Sequence, residues 1–411
     1  MEIMEGRGIN PQHHTAASLD LVKQINLGTV FRLLDKEEPI SRIQLAKLSQ
    51  LAPASITKII RQFSEIGLIK EVATQVSTGG RRAVSLALNK HSLRALAIRL
   101  GRRNMTLGMY DLSAKLIKEH TIPISGLNQQ AVESELVLHT EQFLTQCTCD
   151  QNNLIAISIT LPGIITDVVH YMPHMKVNQW DIAARLKQHF KVNAFIGHDI
   201  RSLALAEHYF GVTASCKDSI FIRIHNGIGA GIIVDGKMFS GKKGHLGEIG
   251  HIQMEPSGIQ CHCGHIGCLE TILSNRTIEQ EAQKRIEAGL NTSIPSNPDI
   301  HDVIKKALLG DELALDLINR AGYYLGKVIA QLVNLLNPEK IVLSGELTQA
   351  HSLLLPNIKK LIQSESLPNF NQSVELGIST LDHNSAIGSF AIIKQALLDG
   401  TLLMKLITDN E

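Results

Sequence analysis

The chain has 411 residues, 44% of them hydrophobic and 19% charged, with a formal net charge of +1. That length is too great for one simple core and predicts two or three domains of an ordinary soluble protein. No stretch reaches the ~18 to 20 uninterrupted apolar residues of a membrane span; the best, Leu154 to Ile165, is broken by Ser158, Thr160, Pro162 and Gly163, so no membrane insertion is expected. Residues 1–17 carry no apolar segment like that of a signal peptide, which places the expected location in the cytoplasm. Reduced cysteines there favour metal binding over disulfides.

Charge is uneven along the chain. Residues 1–90 hold twelve Lys or Arg against eight Asp or Glu, or +4, leaving 28 basic against 31 acidic residues, or −3, for the remainder. A basic head on a mildly acidic body suits a polyanionic partner, although a solvated surface gives the same count. Within that head, Ser41-Arg42-Ile43-Gln44 has the capping-box form and predicts a helix running to about Ser49. A short connection leads to Pro53, which suits the first turn of a second helix. There Ile56, Ile59, Ile60, Phe63 and Ile66 fall on one face, while Ala54, Thr57, Lys58, Arg61 and Glu65 fall on the other. Two short helices with a small, polar and basic outer face have the form of a helix-turn-helix that enters a major groove. Ser55, Thr57, Lys58 and Arg61 are the candidate DNA contacts on the second helix.

Gly67 ends that helix, Leu68 to Val72 reads as a strand, Ser77 to Gly80 as a turn, and Arg81 to Leu88 as a returning strand. The result is a winged form with Arg81 and Arg82 at the wing tip, placed to reach phosphates or the minor groove. A small protein-interaction module with a solvated basic face is the alternative. From about Leu93 the texture becomes α/β. Ala95 to Leu100, Ile155 to Leu161, Phe195 to Gly197, Ser219 to Ile224 and Lys340 to Ser344 read as buried strands. Ile182 to Phe190 and Ser202 to Phe210 read as helices, as does most of 272–333.

Residues 244–270 read GHLGEIGHIQMEPSGIQCHCGHIGCLE, a glycine-studded loop with three of the six cysteines. His251, Cys261, Cys263 and Cys268 are four ligands of the kinds zinc prefers, and Gly258, Gly264 and Gly267 would let the backbone wrap around an ion. The spacing is unusual, because only His262 separates Cys261 from Cys263, and small buried thiols would give the same residues. Cys147, Cys149 and Cys216 read as structural or incidental.

Four segments together identify a resemblance. They are this cysteine loop, Asn226-Gly-Ile-Gly-Ala-Gly231, Gly197-His198-Asp199 and Ile341-Val-Leu-Ser-Gly345. Over essentially its whole length the chain resembles the ROK family of repressors, open reading frames and sugar kinases, in its branch of transcription regulators with an N-terminal winged helix. Leu51 to Lys58 and His198 to Glu207 look most like the regulators that respond to amino sugars.

The resemblance implies an α/β fold with an N-terminal winged helix-turn-helix followed by a two-lobed, actin-like body. The implied boundaries are a tail at 1–17, the winged helix at 18–90, a first lobe at 91–205 and a second at 206–411, with the last helix packing back on the first lobe. It implies one structural zinc ion per chain and a sugar site at Glu248, His251 and Glu270, with His198 and Asp199 also facing the sugar. Asp199 matches the kinases' catalytic base, whereas His198 stands where they place Asn.

The nucleotide half departs further. The kinases' Asp-x-Gly-Gly-Thr has become Arg99-Leu-Gly-Arg102-Arg103, and their Gly-Gly-Gly has become Ser344-Gly345-Glu346. Phosphoryl transfer depends on positioning and metal-assisted charge neutralisation, so no enzymatic activity is expected. The implied partners are operator DNA, read by a homodimer or homotetramer, and a sugar-phosphate effector, N-acetylglucosamine 6-phosphate. Its phosphate would meet Gly227, Gly229 and Gly231, with Arg102, Arg103 or His225 adding charge. Two other readings are a transporter-component partner docking on Leu402 to Ile407, and a sugar kinase carrying a DNA-binding appendage.

Overall fold

The computed structural model describes residues 11–73, 84–126, 128–147, 153–173, 175–241, 246–371 and 373–410, with side chains from residue 19 onward. Its N-terminal module comprises α1 (Pro11–Glu37), β1 (Ile40–Ser41), α2 (Arg42–Ser49), α3 (Pro53–Glu65), β2 (Ile69–Ala73) and β3 (Val84–Leu88). The Ser41–Gln44 capping box is formed, and α2 ends at Gln50, whose left-handed φ of 58° turns the chain toward Pro53. Ile56, Ile59, Ile60 and Phe63 are buried along one face of α3, as their spacing predicts. β2 and β3 pair antiparallel with Ala73 opposite Val84, and β1 adds a short third strand on the outer side of β3. The segment expected to form the wing tip, with Arg81 and Arg82, lies outside the described residues.

The first lobe follows with β4 (Arg94–Leu100), β5 (Asn104–Asp111), β6 (Leu116–Pro123), α4 (Gln129–Gln146), β7 (Leu154–Leu161), β8 (Ile164–Ile165), β9 (Val169–Tyr171), α5 (Ile182–Phe190) and β10 (Asn193–His198). Five of these strands make a sheet in the order β10-β7-β4-β5-β6, with β4, β7 and β10 parallel. β7 is buried at every position and therefore reads as a continuous apolar run. α6 (Asp199–Phe210) then leads into the second lobe, which contains β11 (Ser219–Ile224), β12 (Ile228–Val234), β13 (Lys237–Met238), α7 (Glu270–Leu273), α8 (Asn275–Glu287), α9 (Ile300–Leu308), α10 (Glu312–Leu336), β14 (Lys340–Ser344), α11 (His351–Glu365), α12 (Pro368–Asn371) and β15 (Glu375–Ile378). Its sheet runs β13-β12-β11-β14-β15.

The chain closes with α13 (Ile387–Leu398) and α14 (Thr401–Asn410), and both return to the first lobe. α13 packs on β4, β7 and β10, and α14 packs on β10, so two helices cross back where one was expected. α6 spans the expected boundary at 205 and packs on both β12 and α13, which makes it the shared element of the two lobes. α1 begins at Pro11, ahead of the expected boundary at 18. Its apolar face joins Leu27, Val30, Phe31 and Leu34 to the winged-helix core on one side and to Phe390, Leu397, Leu402 and Leu403 on the other, in one continuous cluster.

Candidate metal centre and sugar cleft

The cysteine loop is fixed at both ends by backbone bonds. Met254 and Glu255 amides donate to Gly267 O at 2.7 and 3.1 Å, and the Leu269 amide donates to Ile252 O at 2.9 Å. Gly267 has φ 70°, and a Cβ there would collide with Glu255 O, so the fold needs glycine at that crossing. These constraints bring His251, Cys261, Cys263 and Cys268 together, with all four ligand atoms within 4.8 Å of one another. Cys261 Sγ lies 3.6 Å from His251 Nδ1, and Cys263 Sγ lies 3.7 Å from Cys268 Sγ. Tetrahedral zinc with bonds of about 2.0 to 2.3 Å needs ligand separations of roughly 3.3 to 3.8 Å, so these two pairs fit.

The thiols also share charge unevenly. Burial opposes ionisation of Cys263, but the His265 amide and neighbouring groups outweigh it and hold the thiol at about 6, while burial pushes Cys268 up to about 12. A thiolate that must be stabilised by its neighbours is what a divalent cation would bind. The quartet can therefore hold a metal ion.

Glu270 begins α7 beside this centre. Its Oε2 accepts from the Ile228 amide at 3.3 Å, and its Oε1 lies 2.9 Å from His262 Nε2. His262 stacks edge-on against His251 with ring centroids 5.2 Å apart, and His251, His262 and Glu270 form a second ligand-like group. His251 thus stands between the cysteines and Glu270, so one side chain can join the metal to the cleft. In the sequence His262 figured only as the residue that broke a cysteine spacing; its contact with Glu270 comes from the loop's fold.

Glu248 precedes the 3-10 turn Ile249–His251, and Arg201 of α6 lies near enough to feel its charge. Across the cleft, Asp199 opens α6, with its Oδ1 accepting from the Ile200 amide at 2.8 Å and 3.3 Å from His198 Nδ1. Carboxylates on both walls can accept from sugar hydroxyls.

Of the expected glycine loop, two residues lie in a strand. Gly229 and Gly231 lie within β12, opposite Arg223 and Phe221 of β11, and pack against α6. A Cβ on Gly229 would sit 2.6 Å from Ile200 Cδ1, and one on Gly231 would collide with Ala204 Cβ. Close helix packing accounts for glycine at these two positions. Only Gly227 stands at the turn, where a Cβ would lie 3.4 Å from Glu270 Oε2.

In the same lobe, the Glu346 carboxylate bonds His225 Nδ1 at 2.9 Å and Asn275 Nδ2 at 2.8 Å. Arg102 and Arg103 are exposed on the turn between β4 and β5. Outside the cleft, Ser55, Thr57, Lys58 and Arg61 are all exposed on α3, with Arg61 Nε 3.6 Å from Glu65. Thr57 Oγ1 donates back to Pro53 O at 2.9 Å, leaving Lys58 as the freest cation of that face.

A model of the ROK family matches residues 95–396. The chain is 48% identical to the Escherichia coli K12 DNA-binding transcriptional dual regulator NagC, over 95% of this chain and 97% of that protein. It is 35% identical to the DNA-binding transcriptional repressor Mlc of the same organism, with the same shares covered. Among solved structures, a ROK family transcriptional regulator described as a homologue of E. coli Mlc superposes with a TM-score of 0.89 at 39% identity, covering 95% of this chain and all of that one. The ROK hexokinase of Thermus thermophilus, at 23% identity and TM-score 0.60, covers 74% of this chain and all of its own, which shows that the body shares the sugar-kinase fold. On the strength of the family match and these relatives, the chain belongs to the ROK family.

Proposed function

We propose that this chain is a cytoplasmic DNA-binding transcriptional repressor of amino-sugar uptake and catabolism genes, released from its operators by a sugar phosphate, N-acetylglucosamine 6-phosphate. The observation that carries the reading is the connection between the two ends of the molecule. α6, which begins at Asp199 in the cleft, packs on α13; α13 packs on α1, and α1 shares its core with α3. Ligand-driven closure around α6 therefore has a packed route to the helix that meets DNA. Coupling of about 1 to 3 kcal/mol between the two sites suffices for a useful switch. The relatives' names, among them N-acetylglucosamine repressor, support the amino-sugar assignment.

Zinc is the ion we assign to the cysteine centre, one per chain, with His251, Cys261, Cys263 and Cys268 as its ligands. It would fix the loop and the orientation of the His251 ring. Glu248, His251 and Glu270 hold the sugar, with His198 and Asp199 facing it. Ser55, Thr57, Lys58 and Arg61 meet the major groove, and Arg81 and Arg82 anchor the wing. A homodimer or homotetramer reads two half-sites about one helical turn apart. Leu19, Val22 and Ile25, exposed at three-residue spacing on α1, support self-association.

The chain is read as a regulator rather than a kinase, because Arg99 replaces an acid and Glu346 occupies the opposite wall. The transporter-partner reading loses its sequence support, since Leu402, Leu403 and Ile407 are buried against the body. A gel-shift titration on operator DNA tests the proposal: N-acetylglucosamine 6-phosphate should release the DNA at concentrations where N-acetylglucosamine does not. Release that occurs only on adding a transporter protein rejects it.

A further inference from the structure

Three arginines, near the ends of β4 and β11 and at the start of α6, have their hydrogen-bonding capacity almost unspent. Arg99 lies one residue from the end of β4 in the first lobe, Arg223 one residue from the end of β11 in the second, and Arg201 in the first turn of α6. Among the described residues, the guanidinium groups of Arg99 and Arg201 form no hydrogen bond or ion pair, and Arg223 donates only a long bond of 3.4 Å to His383 O. Arg223 is 6% exposed. Five donors on each guanidinium make this a large unfilled capacity in an enclosed place.

The three are neighbours. Burial and then the like charge of Arg223 pull Arg99 below the ordinary guanidinium range, while Asp199 and Asp382 oppose that shift. Arg201 is lowered by burial and raised by Glu248 and Asp199, so Asp199 is common to Arg99 and Arg201. The loop 382–384 links the other two positions. His383 O accepts from Arg223, while Asn384 O accepts at 3.4 Å from Thr106 Oγ1, the residue opposite Arg99 across β4 and β5. Ordinarily a buried arginine is resolved by a bidentate carboxylate. Here, among the described residues, no carboxylate lies within ion-pair distance of the three; Asp199 Oδ1 accepts from the Ile200 amide, and Asp382 Oδ1 from the Asn384 amide at 2.9 Å. Two guanidiniums facing each other from opposite lobes repel until an anion lies between them.

We propose that Arg99, Arg201 and Arg223 form an anion subsite for a phosphate monoester, the phosphoryl group of a phosphorylated sugar whose ring lies at Glu248, His251 and Glu270. The inference rests on the reading of a sugar-phosphate effector and gives that effector's charge a place. Arg201 stands in the first turn of α6, two residues after Asp199, and its charge is favoured by Glu248 and Asp199. The phosphate joins the lobes because its donors come from β4 on one side and β11 on the other, so lobe closure and anion binding are one event. The exposed Arg102 and Arg103 take no part, and neither do Gly229 and Gly231.

Calorimetric titration of the full, zinc-loaded chain tests this with three probes: N-acetylglucosamine 6-phosphate, N-acetylglucosamine and inorganic phosphate. Arg99→Met and Arg223→Met should each weaken the phosphorylated sugar tenfold or more, about 1.4 kcal/mol, and leave the unphosphorylated sugar unchanged. An Arg102→Ala/Arg103→Ala double variant should behave as wild type. If Arg223→Met does not fold, judged by zinc content and circular dichroism, Arg99→Met and Arg201→Met carry the test. Unchanged affinity for the phosphorylated sugar in Arg99→Met and Arg201→Met overturns the subsite. Wild type that binds inorganic phosphate but not the sugar phosphate, with the phosphate lost in Arg99→Met, removes the proposed effector and keeps the subsite. Wild type that binds neither removes both.

Discussion

The joint between the winged helix and the body and the cleft between the lobes both bury charge, and they handle it in opposite ways. At the joint every buried charge has a partner. Lys394, only 9% exposed, places Nζ 2.7 Å from Asp35 Oδ2 of α1. Lys90 bridges Glu38 at 2.8 Å and Asp35 at 3.4 Å, and Glu38 also accepts from the Leu88 amide at 2.6 Å. Arg32 and Gln24 of α1 donate to Leu398 O and Asp399 O at the turn between α13 and α14. In the cleft, Arg223 is buried and Arg99 and Arg201 are half-buried, and among the described residues none of the three has an ion pair. A satisfied network holds one geometry, whereas unpaired buried charge is tolerated where a ligand completes it. In the function proposed above, the joint would act as a transmitter and the cleft as the receiver.

The largest expected effect lies at the joint. Asp35→Ala strands Lys394 in an apolar setting, and breaking a buried pair in this way should lower unfolding free energy by about 3 kcal/mol. Urea denaturation measures it, and adding Lys394→Met to the same chain should restore most of the loss. Sugar-phosphate affinity should stay unchanged while operator affinity falls. A loss confined to a few tenths of a kcal/mol would mean that apolar contacts alone fix α1 to the body.

The second prediction concerns a part of the cleft that resembles the joint. Burial works against ionisation of Glu346, but the hydrogen bond and charge of His225 and the bond from Asn275 outweigh it and hold the carboxyl down to about 2. A carboxyl depressed in the folded state adds stability that is complete above its ordinary value of 4.5 and is lost as pH falls toward 2. Glu346→Gln should therefore cost about 2 kcal/mol at neutral pH and flatten the acid limb of the stability profile. Denaturant midpoints of both proteins that fall in parallel between pH 5 and 3 would place the stabilising pair elsewhere.

Much of this was legible in the sequence for identifiable physical reasons. The capping box at Ser41, Pro53 and the apolar spacing of α3 are local signals, and they gave both helices and the buried face of α3 correctly. The fully buried β7 and β11 are runs that no other element would explain. The four candidate ligands lie within eighteen consecutive residues, so chemistry alone brought them into view. What stayed hidden depends on contacts distant in the chain. α13 is apolar on nearly every side because it is covered by β4, β7, α6 and α1, and its pattern does not say which lobe it joins. Gly229 and Gly231 look like a phosphate loop until α6 is found lying on them. Arg99 reads as the loss of a metal-binding acid, and only the fold brings Arg223 near enough for its charge to oppose that of Arg99.

The smallest effect distinguishes the two regions by its sign. At the joint, removing a charge destabilises; at Arg99, removing one should stabilise the ligand-free protein, because burial of this guanidinium is not compensated by a hydrogen bond or an ion pair. Arg99→Met keeps most of the apolar stem while removing the desolvated charge, and a gain of about 1 kcal/mol is expected. Thermal melts without ligand should shift upward by a few degrees, and the further upward shift that wild type shows with N-acetylglucosamine 6-phosphate should shrink or vanish. A variant that melts lower than wild type without ligand would mean that Asp199 and Asp382 already stabilise Arg99 across the cleft. The contrast between joint and receiver would then be one of degree. A variant that melts higher but responds fully to the sugar phosphate would leave Arg99 as an unpaired charge with no ligand to justify it.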